Sequence, residues 1–160
     1  MNKEVIILII AGVLTIFMLI LFVPKNKFRK AQVIFLFKQL MTWILGLTVA
    51  QFGLIEYPVR AFAYATKSSF CFEYFIYPAL CVVFNLHYPE GKSLPRQFMH
   101  FFYFCTIMTI LEVLCERYTN IIKYIHWDWY LTWITLFTTF FLSRKYYVWY
   151  FKLKPKNRVI

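Results

Sequence analysis

From Val5 to Val23 the chain runs for nineteen residues without a charged side chain. That stretch constrains the fold more than anything else in the sequence. Crossing the hydrocarbon core of a bilayer as a helix takes about 20 mostly apolar residues, within a range of about 17 to 25. A secretory signal would instead pair a hydrophobic region of about 7 to 15 residues with a small-residue cleavage site. Here the run is longer and ends in the basic stop Val23-Pro24-Lys25-Asn26-Lys27-Phe28-Arg29-Lys30, so it reads as a retained first membrane helix.

Four further stretches have the same character. Residues 33–55 carry only Lys38 near one end, 70–88 contain Glu73 and Pro78, 98–115 contain His100 and Glu112, and 127–143 carry Asp128 at the edge. The pattern predicts an all-α integral membrane helical bundle with helices at 5–23, 33–55, 70–88, 98–115 and 127–143, forming one domain over residues 1–160. Composition agrees: 61% of residues are hydrophobic and 16% charged, against nearly half and about a quarter in soluble domains. A secreted disulfide scaffold, a disordered tail and an ordinary cytosolic enzyme are excluded.

Positively charged short loops resist translocation and mark the cytoplasmic side. Lys25, Lys27, Arg29, Lys30, Lys38, Lys92, Arg96, Arg144, Lys145, Lys152, Lys154, Lys156 and Arg158 fall on one side of the five spans, and only Lys3, Arg60, Lys67, Arg117 and Lys123 on the other. The N-terminus is therefore expected outside and the C-terminus in the cytoplasm, in a multi-pass protein of the cell membrane. Among the acids, Glu90 alone falls on the inner side, so the net charge of +11 concentrates on the cytoplasmic face. Such a face attracts anionic lipid headgroups, at about 1 kcal/mol per basic residue near the surface. Trp127, Trp129 and Tyr130 are expected to form an outer aromatic belt, and Tyr146, Tyr147, Trp149 and Tyr150 an inner one. The mixed aromatic and basic tail reads as an interfacial anchor rather than a nucleic-acid binder. Contacts with other membrane proteins, or self-association, are compatible with the same surface.

Within the bundle, Gly46 and Ala50 have the small-residue spacing that lets helices approach closely, and Gly53 extends that face roughly. Pro78 should kink the third helix and leave a carbonyl for a neighbour or water to satisfy. Cys71, Cys81, Cys105 and Cys115 contain no Cys-x-x-Cys pair and read as small buried apolar residues, with a Cys71–Cys115 disulfide left open. His87 and His100 read as satisfied interfacial histidines. No cofactor motif is present, and no metal signature of fixed spacing identifies a metal.

Ionisable residues inside membrane spans are costly and usually functional. Glu112 and Glu116 share one helical face at i, i+4 spacing, Arg117 follows, and Glu73 lies about one turn below the same outer boundary. Glu56, Arg60, His126 and Asp128 come to that level from the loops. These eight residues form the expected outer polar cluster. Three roles compete for it: ion pairs of Glu56, Glu112 and Glu116 with Arg60, Arg117 or Lys123 that knit helix ends together; a proton or cation relay, because carboxylates sharing a site resist ionising together; or acid/base or metal-assisted chemistry by two carboxylates and His126. The corresponding functions are a non-enzymatic accessory or assembly component of the envelope, a small transporter or channel subunit, and a membrane enzyme acting on lipid.

The runs Gly53-Leu54-Ile55-Glu56-Tyr57-Pro58-Val59-Arg60, Ala65-Thr66-Lys67, Glu73-Tyr74-Phe75 with Tyr77-Pro78, Glu112, Glu116-Arg117-Tyr118 and Ile122-Lys123-Tyr124-Ile125-His126-Trp127-Asp128-Trp129 resemble a family of small multi-pass membrane proteins of spore-forming bacilli and clostridia. The likeness spans Trp43 to Trp149. It implies an integral inner-membrane protein of a Gram-positive spore-former and carries no established activity with it.

The topology has a direct test. With the native cysteines replaced, a membrane-impermeant thiol reagent applied from outside should label a cysteine placed at Lys67 and miss one placed at Lys92; the reverse pattern would invert the orientation.

Overall fold

The computed structural model describes residues 3–153; Lys154, Lys156 and Arg158 of the basic tail lie outside them. The chain forms helix α1 (Lys3–Phe22), a short 3-10 turn (Lys25–Lys27), α2 (Phe28–Gln51), strand β1 (Ile55–Glu56), a π-helical segment (Phe70–Ile76) running into α3 (Tyr77–Leu86), α4 (Leu94–Tyr118), strand β2 (Lys123–Tyr124) and α5 (Trp129–Tyr150). Helices dominate, as expected. The sequence reading missed the two-residue antiparallel ribbon in which Ile55 pairs with Tyr124 and Glu56 with Lys123. This ribbon ties the ends of α2, α4 and α5 together, and at the same end Asn120 Nδ2 donates to Glu4 Oε1 at 3.5 Å.

Three helices are long and apolar enough to cross a membrane: Lys3–Phe22, Lys25–Gln51 including the 3-10 turn, and Leu94–Tyr118. The surface is correspondingly apolar. On α1 only Glu4, Leu8 and Thr15 are buried, while Val13, Leu14, Ile20 and Leu21 are about 60–70% exposed. Lys38, Thr42, Asn85, Thr109, Thr139, Ser143 and Arg144 are buried. Polar groups inside and aliphatic groups outside are the arrangement expected when the solvent is hydrocarbon.

Helix boundaries differ from the hydropathy estimate for identifiable reasons. α2 starts at Phe28 because Arg29 and Lys30 are good helix formers, although they are poor membrane residues. It stops at Gln51 rather than residue 55 because Gly53 adopts φ +65°. The Leu54 amide then donates to the Val49 carbonyl at 3.0 Å, a glycine-terminated helix end. A Cβ on Gly53 would meet nothing within 4 Å, so Gly53 ends the helix and does not extend a packing face. α5 likewise continues past Ser143 to Tyr150.

Pro78 acts differently from a mid-helix kink. It sits in the first turn of α3, where a missing N–H is tolerated, directly after the π-helical segment. The Glu73 and Tyr74 carbonyls, which face a proline without an N–H, are taken by α2 instead: Thr42 Oγ1 donates to Glu73 O at 2.6 Å and Gln39 Nε2 to Tyr74 O at 2.8 Å. One turn further along α2 lies Gly46. A Cβ there would come within 2.6 Å of Glu73 Cγ and 2.7 Å of Ser68 Oγ. The small residue is what lets the π-helical segment lie against α2.

The other half of the bundle is closed by aromatic packing around Phe84, whose ring centroid lies 4.7 Å from Phe140 and 4.8 Å from Phe101. His87 and His100 each bond a backbone carbonyl at 3.0 Å, of Val83 and Phe84 respectively. All four cysteines are free thiols. Two residues assigned to the basic rim are instead internal. Lys38 has no exposed surface, and Arg144, only 8% exposed, pairs with Glu90 at 3.0 Å and stacks over Tyr88.

Gly46→Ala should destabilise the fold by about 1–3 kcal/mol, the usual range for forcing a methyl into a filled contact. Equilibrium unfolding in mixed micelles, with Gly12→Ala on the open face of α1 as the neutral comparison, measures it.

Candidate functional site

Next to the Gly46 contact the helices part and leave a cavity of about 110 Å³. One water requires about 10–15 Å³ of such space, so several fit. α2 contributes Thr42 and Gly46, the π-helical segment and α3 contribute Glu73 and Tyr77, α4 contributes Glu112, and α5 contributes Thr132 and Thr139; Tyr57 and Trp127 enter from the loops. Two carboxylates thus line one chamber.

Glu112 is held by three hydroxyl donors. Tyr77 donates to its Oε2 at 2.5 Å, and Tyr124 and Thr132 donate to its Oε1 at 2.7 and 2.8 Å. Trp127 Nε1 donates to Thr132 Oγ1 at 2.8 Å, which orients that hydroxyl towards the carboxylate. Glu73, only 8% exposed, accepts one hydrogen bond, from Tyr57 at 3.1 Å on Oε1. Burial, reinforced by Glu73, keeps the Tyr57 phenol well above its ordinary range. Burial and Glu112 do the same for Tyr124. Both phenols therefore stay protonated and remain donors.

Deeper in the bundle, Lys38 Nζ donates to Thr139 Oγ1 at 2.5 Å and lies 4.4 Å above the Phe140 ring. Glu73 is near enough to attract it electrostatically, yet the two make no direct ion pair. Beyond Lys38 the buried side chains of Ile34, Phe84, Phe101, Cys105 and Phe140 fill the bundle. On that side the cavity ends against the Lys38 side chain and this packing.

Of the eight residues expected at the outer cluster, Glu73 and Glu112 line this cavity. Glu116, half-buried one turn above Glu112, does not. Glu56 is exposed on the ribbon opposite Lys123. Arg60 donates to the Tyr57, Ala63 and Thr66 carbonyls and so braces its own loop. Arg117, His126 and Asp128 are exposed; Asp128 precedes α5, where its carbonyl accepts the Leu131 and Thr132 amides. The expected knitting ion pairs are not made: among the described residues the ion pairs are Lys3–Glu4 and Arg144–Glu90. The set of two carboxylates and His126 is not assembled either, and no three His, Cys, Asp or Glu side chains converge among the described residues.

The sequence reading missed the tyrosines, because hydroxyl donors in an aromatic-rich chain carry no spacing signal. Trp127 was assigned to the outer belt and turns inward instead. Lys38 did carry a signal, as the one charge in an otherwise apolar span, but a span drawn from residue 33 placed it at the membrane edge. With α2 beginning at Phe28, Lys38 lies near the middle of the helix. No family model, curated protein or solved structure matches this chain.

Glu112→Leu removes the acceptor of the buried Thr132 hydroxyl and of the part-buried Tyr77 and Tyr124 hydroxyls and should cost about 1–3 kcal/mol. Glu112→Gln keeps an acceptor oxygen and should cost less, and Glu116→Gln should be near neutral. The same micellar unfolding measurement ranks the three.

Proposed function

We propose that this chain is a five-span integral protein of the bacterial cell membrane, with its N-terminus outside and C-terminus in the cytoplasm, acting as a non-enzymatic accessory or assembly component of the envelope. Its outer half carries a site for a proton or small cation. The observation behind this reading is the single chamber shared by Glu73 and Glu112, ringed by hydroxyls and blocked on the inner side by Lys38 and the Phe84 cluster. Carboxylate and hydroxyl oxygens are the ligands that protons and hard cations use. The hydroxyl ring holds Glu112 in one orientation, so a bound proton or cation is registered as a change at Tyr77, Tyr124 and Trp127, which lie on three different elements.

One observation favours a second reading, that of a small transporter or channel subunit. Glu73 and Thr139, the hydrogen-bond partner of Lys38, line the same cavity, so polar groups continue from the carboxylates towards the Phe84 packing.

Proteoliposomes separate the two. The accessory reading expects proton and sodium fluxes equal to those of empty vesicles, together with a pH-dependent carboxyl infrared band that disappears in Glu73→Gln or Glu112→Gln. A flux above background that is abolished by Glu112→Gln would replace it with the transporter reading.

A further inference from the structure

The end of the bundle opposite the carboxylate chamber holds a second, larger opening. α1 and α2 are joined by the tight Pro24–Lys27 turn, yet α1 packs chiefly against α3 and the π-helical segment rather than against α2. The two helices splay from their shared turn and leave a groove of about 910 Å³. Leu19, Ile20 and Val23 form one wall, Val33, Phe35 and Leu36 the other, and buried Val82 of α3 the floor. At the mouth stand Lys25 and Arg29, both exposed. Neither makes an ion pair among the described residues. Lys27 belongs to the same turn, and Lys30 lies 5.6 Å over the Phe151 ring beside it.

We propose that this groove is a specific site for an anionic phospholipid, with one acyl chain lying between α1 and α2 and the phosphate held by Lys25 and Arg29. Charge complementarity selects the occupant. Four basic residues within six positions repel a cationic segment, and a free phosphate would leave the apolar walls uncovered. Only an anionic amphiphile satisfies both parts. Arg29 supplies a planar donor fork suited to phosphate oxygens and Lys25 a point charge. The apolar walls distinguish the site from the diffuse attraction that any basic surface exerts on acidic lipid. The inference rests on the membrane reading above and commits it to a particular lipid class and place.

Native mass spectrometry of the protein released from nanodiscs of mixed phosphatidylglycerol and phosphatidylcholine tests it. The wild type should retain one phosphatidylglycerol in preference to phosphatidylcholine. Lys25→Gln/Arg29→Gln should lose that preference by about tenfold or more, on the basis of two charge-assisted contacts of about 1 kcal/mol each. Gln32→Trp, which fills the groove from an exposed position and leaves all charges in place, should lower retention of both lipids. Inorganic phosphate in excess should not displace the lipid. Undiminished phosphatidylglycerol preference in the double variant, displacement by phosphate, or a lipid-free dimer seated through this face would each overturn the proposal. Thiol labelling at Lys67 and Lys92 in the same preparation reports separately on whether the membrane topology holds.

Discussion

A buried backbone carbonyl must find a hydrogen-bond partner within the protein, and in this fold that constraint shapes the packing around Pro78. A proline at that position leaves the Glu73 and Tyr74 carbonyls without their usual donors. Thr42 and Gln39 of α2 supply the missing hydrogen bonds. Those bonds require α2 and the π-helical segment to be nearly in contact, and the absence of a side chain at Gly46 allows it. Ser69 caps the segment at its other end by accepting the Phe72 amide. The wide helical turn that results directs Glu73 into the bundle.

The polar site is a consequence of that seam. With Glu73 fixed from α2, the space between it and α4 is bordered by hydroxyls, and Glu112 takes three of them. The β1–β2 ribbon brings Tyr57 and Tyr124 to the same chamber from segments far apart in sequence, so the loops complete the site that the helices begin. Lys38 and Thr139 lie just beneath. Burying Lys38 and Glu73 inside the bundle is costly, and the aromatic cluster around Phe84 packs the other half. The two ends of the molecule thereby differ in kind: one holds a small cavity lined by Glu73 and Glu112, the other a larger apolar groove with a basic mouth.

Much of this architecture was legible before any coordinates. The uncharged run in α1, the apolar stretches of α2 and α4, the small residue at Gly46 and the carboxyl groups Glu73 and Glu112 within apolar stretches follow from composition and spacing, because the requirement for apolar length acts on consecutive residues. The expectation that Pro78 would free a carbonyl for a neighbour was also sound. The identity of the neighbours, Thr42 and Gln39, was hidden because it depends on which face of α2 meets the segment. Glu56, Arg117, His126 and Asp128 share a level with the carboxylates without sharing the cavity, since nearness to a boundary says nothing about direction around a helix axis.

What the sequence determined alone is the helical class and the presence of segments long and apolar enough to cross a membrane, through the length and apolarity of consecutive residues. The tertiary structure decided which of the ionisable residues meet. It turned Trp127 and Arg144 inward, placed Lys38 at the centre of the bundle rather than at its rim, and set Glu73 and Glu112 around one chamber while leaving Glu116 outside. The physical reason is that hydropathy is a property of successive residues, whereas a hydrogen-bonded site depends on helix rotation and register, which only the packing of all the elements together specifies.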